Sequence, residues 1–175
     1  DPHEIGKNYP ADVGIVADAK PTVAALVAAV GDAPIARPDY VAEIDGLRGK
    51  WEARLAHRLN SDESPLTSQR PLAELRKVLP RNGIVVVGSG NPQGAVKQSF
   101  PVYEPRTHLT SGSFSSMGWA VPASMGAKLA KPDTPVVCIL GDGDFLMSIQ
   151  EIAGCVTNNI PVVFLVQNNC GYMSI

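Results

Sequence analysis

The sequence predicts an α/β protein built on an open parallel sheet with helices on both faces, and three observations carry that expectation. PVVCIL (135–140) and PVVFLV (161–166) are short, nearly all-apolar runs, as central parallel strands covered on both faces should be. Between them, DFLMSIQEIAGCVTNN places Phe145, Ile149, Ile152 and Val156 at spacings of four, three and four, the inward stripe of one crossover helix. Upstream, IVVVGSG (84–90) is a buried-type strand running into a glycine turn, so strand and helix alternate through the second half of the chain.

Taken in order, VGIVADA (13–19) reads as a strand, and PTVAALVAAV (21–30), with Pro near its start, as a helix. This pair is incomplete alone and is expected to be the tail of a second α/β domain, residues 1–33. A turn rich in Gly, Pro and Asp follows. Then VAEIDGLRGKWEARLAHRLN reads as a solvated linker helix within residues 34–64, with Trp51 and Leu55 on one face. The third region, residues 65–175, opens with the helix PLAELRKVLP, the strand IVVV and the short strand THLT. MGWAVPASMGAKLA carries small residues at nearly every other position, which suits a helix pressed against a sheet, provided Pro122 lies in its first turn. No internal repeat is visible. The first residue is Asp, and Ile175 follows directly on the Asn168-Asn169 element, so the chain reads as a fragment truncated at both ends.

Composition narrows the function classes. The 175 residues are 45% hydrophobic and 18% charged, ordinary for a globular chain with a core. Fifteen Lys and Arg against seventeen Asp and Glu, with no basic run, point away from nucleic acid and anionic membranes and toward small ligands. No apolar run reaches the roughly 18 residues of a membrane span, and DPHEIGKNYP is too polar for a signal peptide, so a cytoplasmic location is expected. Cys138, Cys155 and Cys170 lack metal-type spacing and read as buried free thiols. His3, His57 and His108 fall outside the motifs and read as structural or surface residues.

The chemistry concentrates in GDGDF (141–145) and Asn168-Asn169. Either motif alone is a common turn or strand terminator. Together, each directly follows an apolar strand, with 24 residues between Gly143 and Asn168, and ligands of open parallel sheets bind beyond the carboxyl ends of the strands. A strand, crossover helix and parallel strand set those two ends side by side. A carboxylate with an amide oxygen is a hard-oxygen set, suited to Mg²⁺ or Ca²⁺ rather than zinc. Mg²⁺ completes its shell with waters and phosphate oxygens, which leaves room for a diphosphate. Gly141 and Gly143 let backbone approach the phosphates, and the next helix opens with free amides and a positive dipole end.

With these motifs the chain resembles the C-terminal, cofactor-binding region of thiamine diphosphate enzymes of the acetohydroxyacid synthase superfamily. GDGDF to NN matches that family's metal and diphosphate motif, TSGSFSSMGWAVPASMGAKLAKP resembles its TSGGLGTMGYGLPAAIGAK segment, and GSGNPQG (88–94) falls where it has GVGQHQ. DPHEIGKNYPADVGIVADA resembles the end of its middle domain. The resemblance implies a thiamine diphosphate-binding fold, with Asp142, Asn169 and the Gly171 carbonyl as Mg²⁺ ligands. It implies contacts to the diphosphate from Ser89, Gly90 and Asn91 and from the backbone of Gly141, Gly143 and Asp144. Met117 would prop the cofactor in its bent form, and the Ser115 carbonyl would receive its 4′-amino group. The implied activity is decarboxylation or carboligation of a 2-oxo acid, with the cofactor as electron sink and the site at the interface of a homodimer or homotetramer. The glutamate that starts the proton relay would come from a neighbouring subunit; neither Glu104 nor Glu151 matches it, so no catalytic side chain is assigned here and the segment alone should be inactive. Several relatives bind FAD in the middle domain, of which this segment holds too little to support FAD.

Three departures stand out. Pro92 replaces a histidine near the diphosphate, leaving Asn91 to make that contact; Ser113, Phe114 and Ser115 replace Gly, Leu and Gly of acetolactate synthases. Asp144 replaces a serine beside the phosphates, where an acid repels the diphosphate unless it turns to cap the helix; a GDxD variant is familiar from glyoxylate carboligases. Simple 2-oxo acid decarboxylases, acyl-CoA lyases and a non-catalytic cofactor-binding module remain alternatives.

Overall fold

A computed structural model describes residues 2–32 and 36–174, which divide into two compact units, 1–46 and 47–175. The expected boundary between residues 33 and 34 lies outside the described residues.

In the first unit, a 3₁₀ turn spans Pro2–Glu4 and helix α1 spans Ala19–Val30. Asp18, in extended conformation, precedes α1, and its carbonyl accepts a 2.7 Å hydrogen bond from the Thr22 hydroxyl; Gly31 closes the helix at φ 72°. The expected strand over 13–19 does not form: Val13–Ala17 is irregular and Ala19 is already helical. A lone β-type run has no neighbouring edge to pair its amides and carbonyls, and propensity without a partner does not make a strand. No described residue of this unit is buried, and Val23, Leu26, Val27 and Val30 of α1 are all exposed.

Helix α2 spans Pro38–Leu59, and the boundary between the two units falls within it. In its second half Leu55 is buried, whereas Trp51 stays 42% exposed and donates its indole N–H to the Gln98 carbonyl at 3.2 Å.

The second unit holds the sheet. Its elements are α3 (Gln69–Val78), β1 (Ile84–Val87), α4 (Asn91–Ser99), β2 (His108–Thr110), α5 (Ala120–Ala130), β3 (Val136–Gly141), α6 (Asp142–Leu146), α7 (Glu151–Thr157) and β4 (Val163–Gln167). The four strands are parallel in the order β2-β1-β3-β4, with Val86 opposite Cys138 and Leu140 opposite Val166. Strand period two sends alternate residues to opposite faces. Val85, Val87, Val137 and Ile139 pack with Leu72 and Leu79 and with Ala95, Val96 and Phe100, the α3–α4 side. Ile84, Val86, Cys138 and Leu140 pack with Ala120, Val121 and Ala127 of α5. The small α5 residues let that helix lie close to the sheet, and Pro122 sits in its first turn, where a missing N–H leaves no intrahelical bond unmade. The Arg76 guanidinium, bonded to the carbonyls of Leu79 and Pro80, stacks 5.0 Å from the rings of Phe100 and Tyr103, fastening the α3 end to the loop after α4.

Two expectations are corrected. β3 is buried as a central strand should be, but β4 is an edge strand, partly exposed along its length, with Val163 62% exposed. The crossover is also not one helix. Hydrogen bonds from Ser148 to Phe145, Glu151 to Ser148 and Ala153 to Gln150 are of the i to i+3 kind, so the chain tightens between α6 and α7 and loses helical phase. Ile149 and Val156 consequently point outward, 41% and 77% exposed, and Cys155 takes the buried position.

Candidate functional site

The carboxyl ends of β1, β3 and β4 open onto one cleft, lined by Ser89, Gly90, Asn91, Pro92, Met117, Gly141 to Asp144, Asn169 and Gly171, with Tyr172 to Ser174 across it. Parallel strands joined by right-handed crossovers bring their following loops to the same edge. Asp142 and Asn169, 27 positions apart, therefore meet.

One terminal atom of the Asn169 carboxamide lies 2.7 Å from the Gly171 carbonyl oxygen and 3.3 Å from Asp142 Oδ1. As the amide nitrogen it donates to both, and the amide oxygen accepts from Asn91 Nδ2 at 3.3 Å. Turned by half a rotation, the carboxamide sets an oxygen against a carboxylate and a carbonyl oxygen, which repel unless a cation lies between them. For an octahedral ion with ligands at about 2.0–2.1 Å, neighbouring oxygens are about 2.9 Å apart. The spacings of 2.7 and 3.3 Å bracket that value, so the donor set fits a hard divalent cation. It lacks the cluster of three His, Cys, Asp or Glu side chains found at many metal sites: none occurs among the described residues.

Asp144 behaves differently from Asp142. It is 2% exposed, and no side-chain hydrogen bond caps the start of its own helix. Oδ2 accepts the Ser89 N–H at 2.9 Å and Oδ1 the Gly118 N–H at 2.5 Å. The expected helix-capping role is thus corrected: two amides from other loops already meet both oxygens. Burial pushes the Cys138 thiol up to about 12; a hydrogen bond with Ser124 opposes this, and the Asp144 charge adds a smaller upward push.

Ser115 is set back from the cleft. Its hydroxyl lies 3.2 Å from the Ser89 hydroxyl and donates to Gln93 Oε1 at 3.4 Å, and its backbone is left-handed at φ 55°. Met117 reaches the cleft wall. Asn91, which the sequence left free for an anion, has its carbonyl oxygen taken by the Ser174 hydroxyl at 2.9 Å. Cys170 is exposed rather than buried, in a left-handed turn at φ 62° whose N–H is held by Asn168 Oδ1 at 2.9 Å.

Sequence reading missed Gly88 and Gly118. A Cβ on Gly88 would lie 2.0 Å from Asp144 Oδ2 and 2.8 Å from the Leu140 Cβ, and Gly118 sits at φ 80°. The signal was present as glycines flanking the motifs, but the carboxylate that excludes a side chain at position 88 lies 56 residues away. Tyr172 was also missed; its ring would be 2.6 Å from a Cβ on Gly143.

Comparison with known proteins agrees with this geometry. Residues 88–175 match the family model described as thiamine pyrophosphate enzyme, C-terminal TPP binding domain. The chain is 36% identical over 173 residues to an acetolactate synthase of Mycobacterium leprae, covering 97% of this chain and 27% of that protein. An acetolactate synthase of Mycobacterium bovis is 38% identical over 173 residues (97% and 28%), and a pyruvate oxidase of Lactiplantibacillus plantarum 30% over 172 residues (98% and 28%). The chain therefore spans less than a third of the length of these curated relatives.

Proposed function

Because the chain belongs to the thiamine pyrophosphate enzymes and carries their C-terminal TPP-binding domain, we propose that it supplies the Mg²⁺ and diphosphate end of the active site of an enzyme that decarboxylates or carboligates a 2-oxo acid. The observation that carries this reading is the convergence of Asp142, Asn169 and the Gly171 carbonyl beyond β3 and β4.

In this reading Asp142 Oδ1, the Asn169 amide oxygen and the Gly171 carbonyl hold Mg²⁺, and the cation neutralises phosphate charge. The amides of Gly143 and Asp144 at the start of α6, with Ser89, Gly90 and Asn91 opposite, orient the diphosphate. Met117 would support the cofactor from the cleft wall, and the Ser115 carbonyl would be the acceptor for its amino group. When bound, thiamine diphosphate supplies an electron sink for breaking the bond between a carbonyl carbon and a carboxylate.

The cleft encloses about 120 Å³, less than the roughly 300–1,000 Å³ of a typical small-molecule site, so this region accounts for one end of the cofactor. No glutamate is among the described residues that line it. As the family resemblance implies, we place the glutamate that starts proton transfer on a neighbouring subunit of a homodimer or homotetramer. The similarity to acetolactate synthases favours carboligation, with pyruvate and glyoxylate the first 2-oxo acids to try.

Calorimetric titration of the intact protein with thiamine diphosphate, with and without Mg²⁺, tests the reading. Mg²⁺-dependent binding that disappears in Asp142→Ala is the expected result. A folded protein that ignores the cofactor under both conditions would overturn it.

A further inference from the structure

Asp144 joins two loops that the sequence keeps far apart. Ser89 follows β1 and Gly118 precedes α5, yet one carboxylate accepts both of their amides, at 2.9 and 2.5 Å. We infer that Asp144 is a positioning residue, a clamp that fixes the spacing of the Ser89 loop and the Met117-Gly118 loop across the cleft. The inference rests on the proposed cofactor site, because Ser89 and Met117 line the cleft and neither is held there by the cation ligands.

The chemistry suits a carboxylate and no shorter or neutral side chain. Two amides approaching from different loops need two acceptor oxygens on one planar fork, and an ionised carboxylate offers both without presenting a donor. Serine, the family's common residue here, has one oxygen on a shorter stem. Asparagine has one acceptor and would set its NH₂ against the second amide. The clamp also extends sideways: Ser89 Oγ lies 3.2 Å from Ser115 Oγ, which in turn donates to Gln93 at 3.4 Å, so the Ser115 backbone is tied to the same assembly.

The surroundings are shaped to the carboxylate. Gly88 has no Cβ where one would stand 2.0 Å from Oδ2. Asp144 is 2% exposed and both of its oxygens accept backbone amides, which offset the charge beside the cleft where it would otherwise oppose a diphosphate. A buried charge left without partners is costly, so the two loops are held where the carboxylate needs them. Asp142 and Asp144 thus divide the work of one turn, one facing a cation and the other organising the wall opposite.

Hydrogen–deuterium exchange of the intact protein without cofactor, read by mass spectrometry, tests the clamp directly. In Asp144→Ala, peptides covering residues 86–91 and 115–120 should exchange about tenfold faster or more, while peptides over β3 stay protected. Asp144→Asn, which keeps the size and one acceptor, should loosen one of the two loops, and it decides the matter if the alanine variant does not fold. Unchanged exchange in both loops of a folded variant overturns the clamp. Cofactor titration supplies the second reading. The thiamine diphosphate concentration for half-saturation of binding should rise about tenfold in Asp144→Asn, while the fraction of protein that binds at saturation stays that of the parent. A smaller active fraction with unchanged half-saturation would mean a merely structural role and overturn the positioning one. If the parent binds no thiamine diphosphate, the proposed function fails, and the exchange result still reports on the loops.

Discussion

On the β3–β4 side of the cleft, the Asp142 carboxylate, the Asn169 carboxamide and the Gly171 carbonyl converge on one point, whereas on the β1–β2 side the polar groups are the amides of Ser89 and Gly118 and the hydroxyls of Ser89 and Ser115. The first side is acceptor-rich and suits a cation. On the second, the Ser89 and Gly118 amides are taken by the buried Asp144 carboxylate, which holds that wall in place. One wall offers acceptors that suit a cation and the other is fixed in shape, and the two face each other across one strand edge. The difference teaches that two aspartates two residues apart can serve opposite walls, because both lie in the first turn of α6, where positions two apart point to different sides of the helix.

The comparison breaks most clearly on chemical reactivity. Cys138 lies inside β3 beneath the cleft and Cys170 on its rim beside Asn169. With its thiol raised to about 12, Cys138 at pH 8 carries well under a thousandth of the thiolate of an ordinary cysteine, whose pKa is about 8.5. Iodoacetamide should therefore label Cys170 and leave Cys138 unmodified until the fold is lost. Peptide mass spectrometry reads the pattern, and rapid labelling of Cys138 in folded protein would contradict the buried core under the site.

Removing the cation wall should have the next largest effect. Asp142→Ala deletes the only carboxylate in the three-oxygen set, and thiamine diphosphate affinity in Mg²⁺ should fall about 100-fold, or roughly 2.8 kcal/mol. Equal affinities for parent and variant would place the cation elsewhere. On the other wall, Gly88→Ala forces a methyl to within 2.0 Å of Asp144 Oδ2, and overpacking of this kind costs about 1–3 kcal/mol in denaturant unfolding. Gly94→Ala is the control in the neighbouring helix: nothing lies within 4 Å of its Cβ, and the exchange should be neutral or stabilising by up to about 1 kcal/mol. Similar losses for the two glycines would show that the Asp144 pocket is not tight.

The same contrast explains what the sequence made legible. The cation wall is built from side chains that stand directly after apolar runs, so GDG and NN could be placed beyond β3 and β4 from pattern alone. The amide wall depends on backbone direction and on contacts 55 and 26 residues apart, and nothing local distinguishes an aspartate that caps its helix from one that bridges two loops. The crossover misled for a related reason: a spacing of four, three and four assumes unbroken helical phase, and the i to i+3 turns around Ser148 reset it. VGIVADA misled because strand propensity says nothing about whether a neighbouring edge is there to be paired.

The smallest expected effect separates the walls by pH. His108, on β2 behind the amide wall, has its pKa held below 6.5, first by burial and second by the nearby charge of Lys97; its Nε2 is buried without a hydrogen-bond partner. The folded protein therefore resists protonation that the unfolded chain accepts near pH 6.5. Between those two values the unfolded state binds more protons, so this contribution to stability is fully present above the unfolded pKa and is lost as pH falls from about 6.5 through the lower folded value. The ring is partly exposed, so solvent screens the effect and the slope should be shallow. Unfolding midpoints measured in urea from pH 7.5 down to pH 5 should decline for the parent and decline less for His108→Gln. Identical slopes would show that β2 opens to water readily enough to charge the imidazole, and that the amide wall owes its rigidity to the loops fastened by Asp144 rather than to the strand behind them.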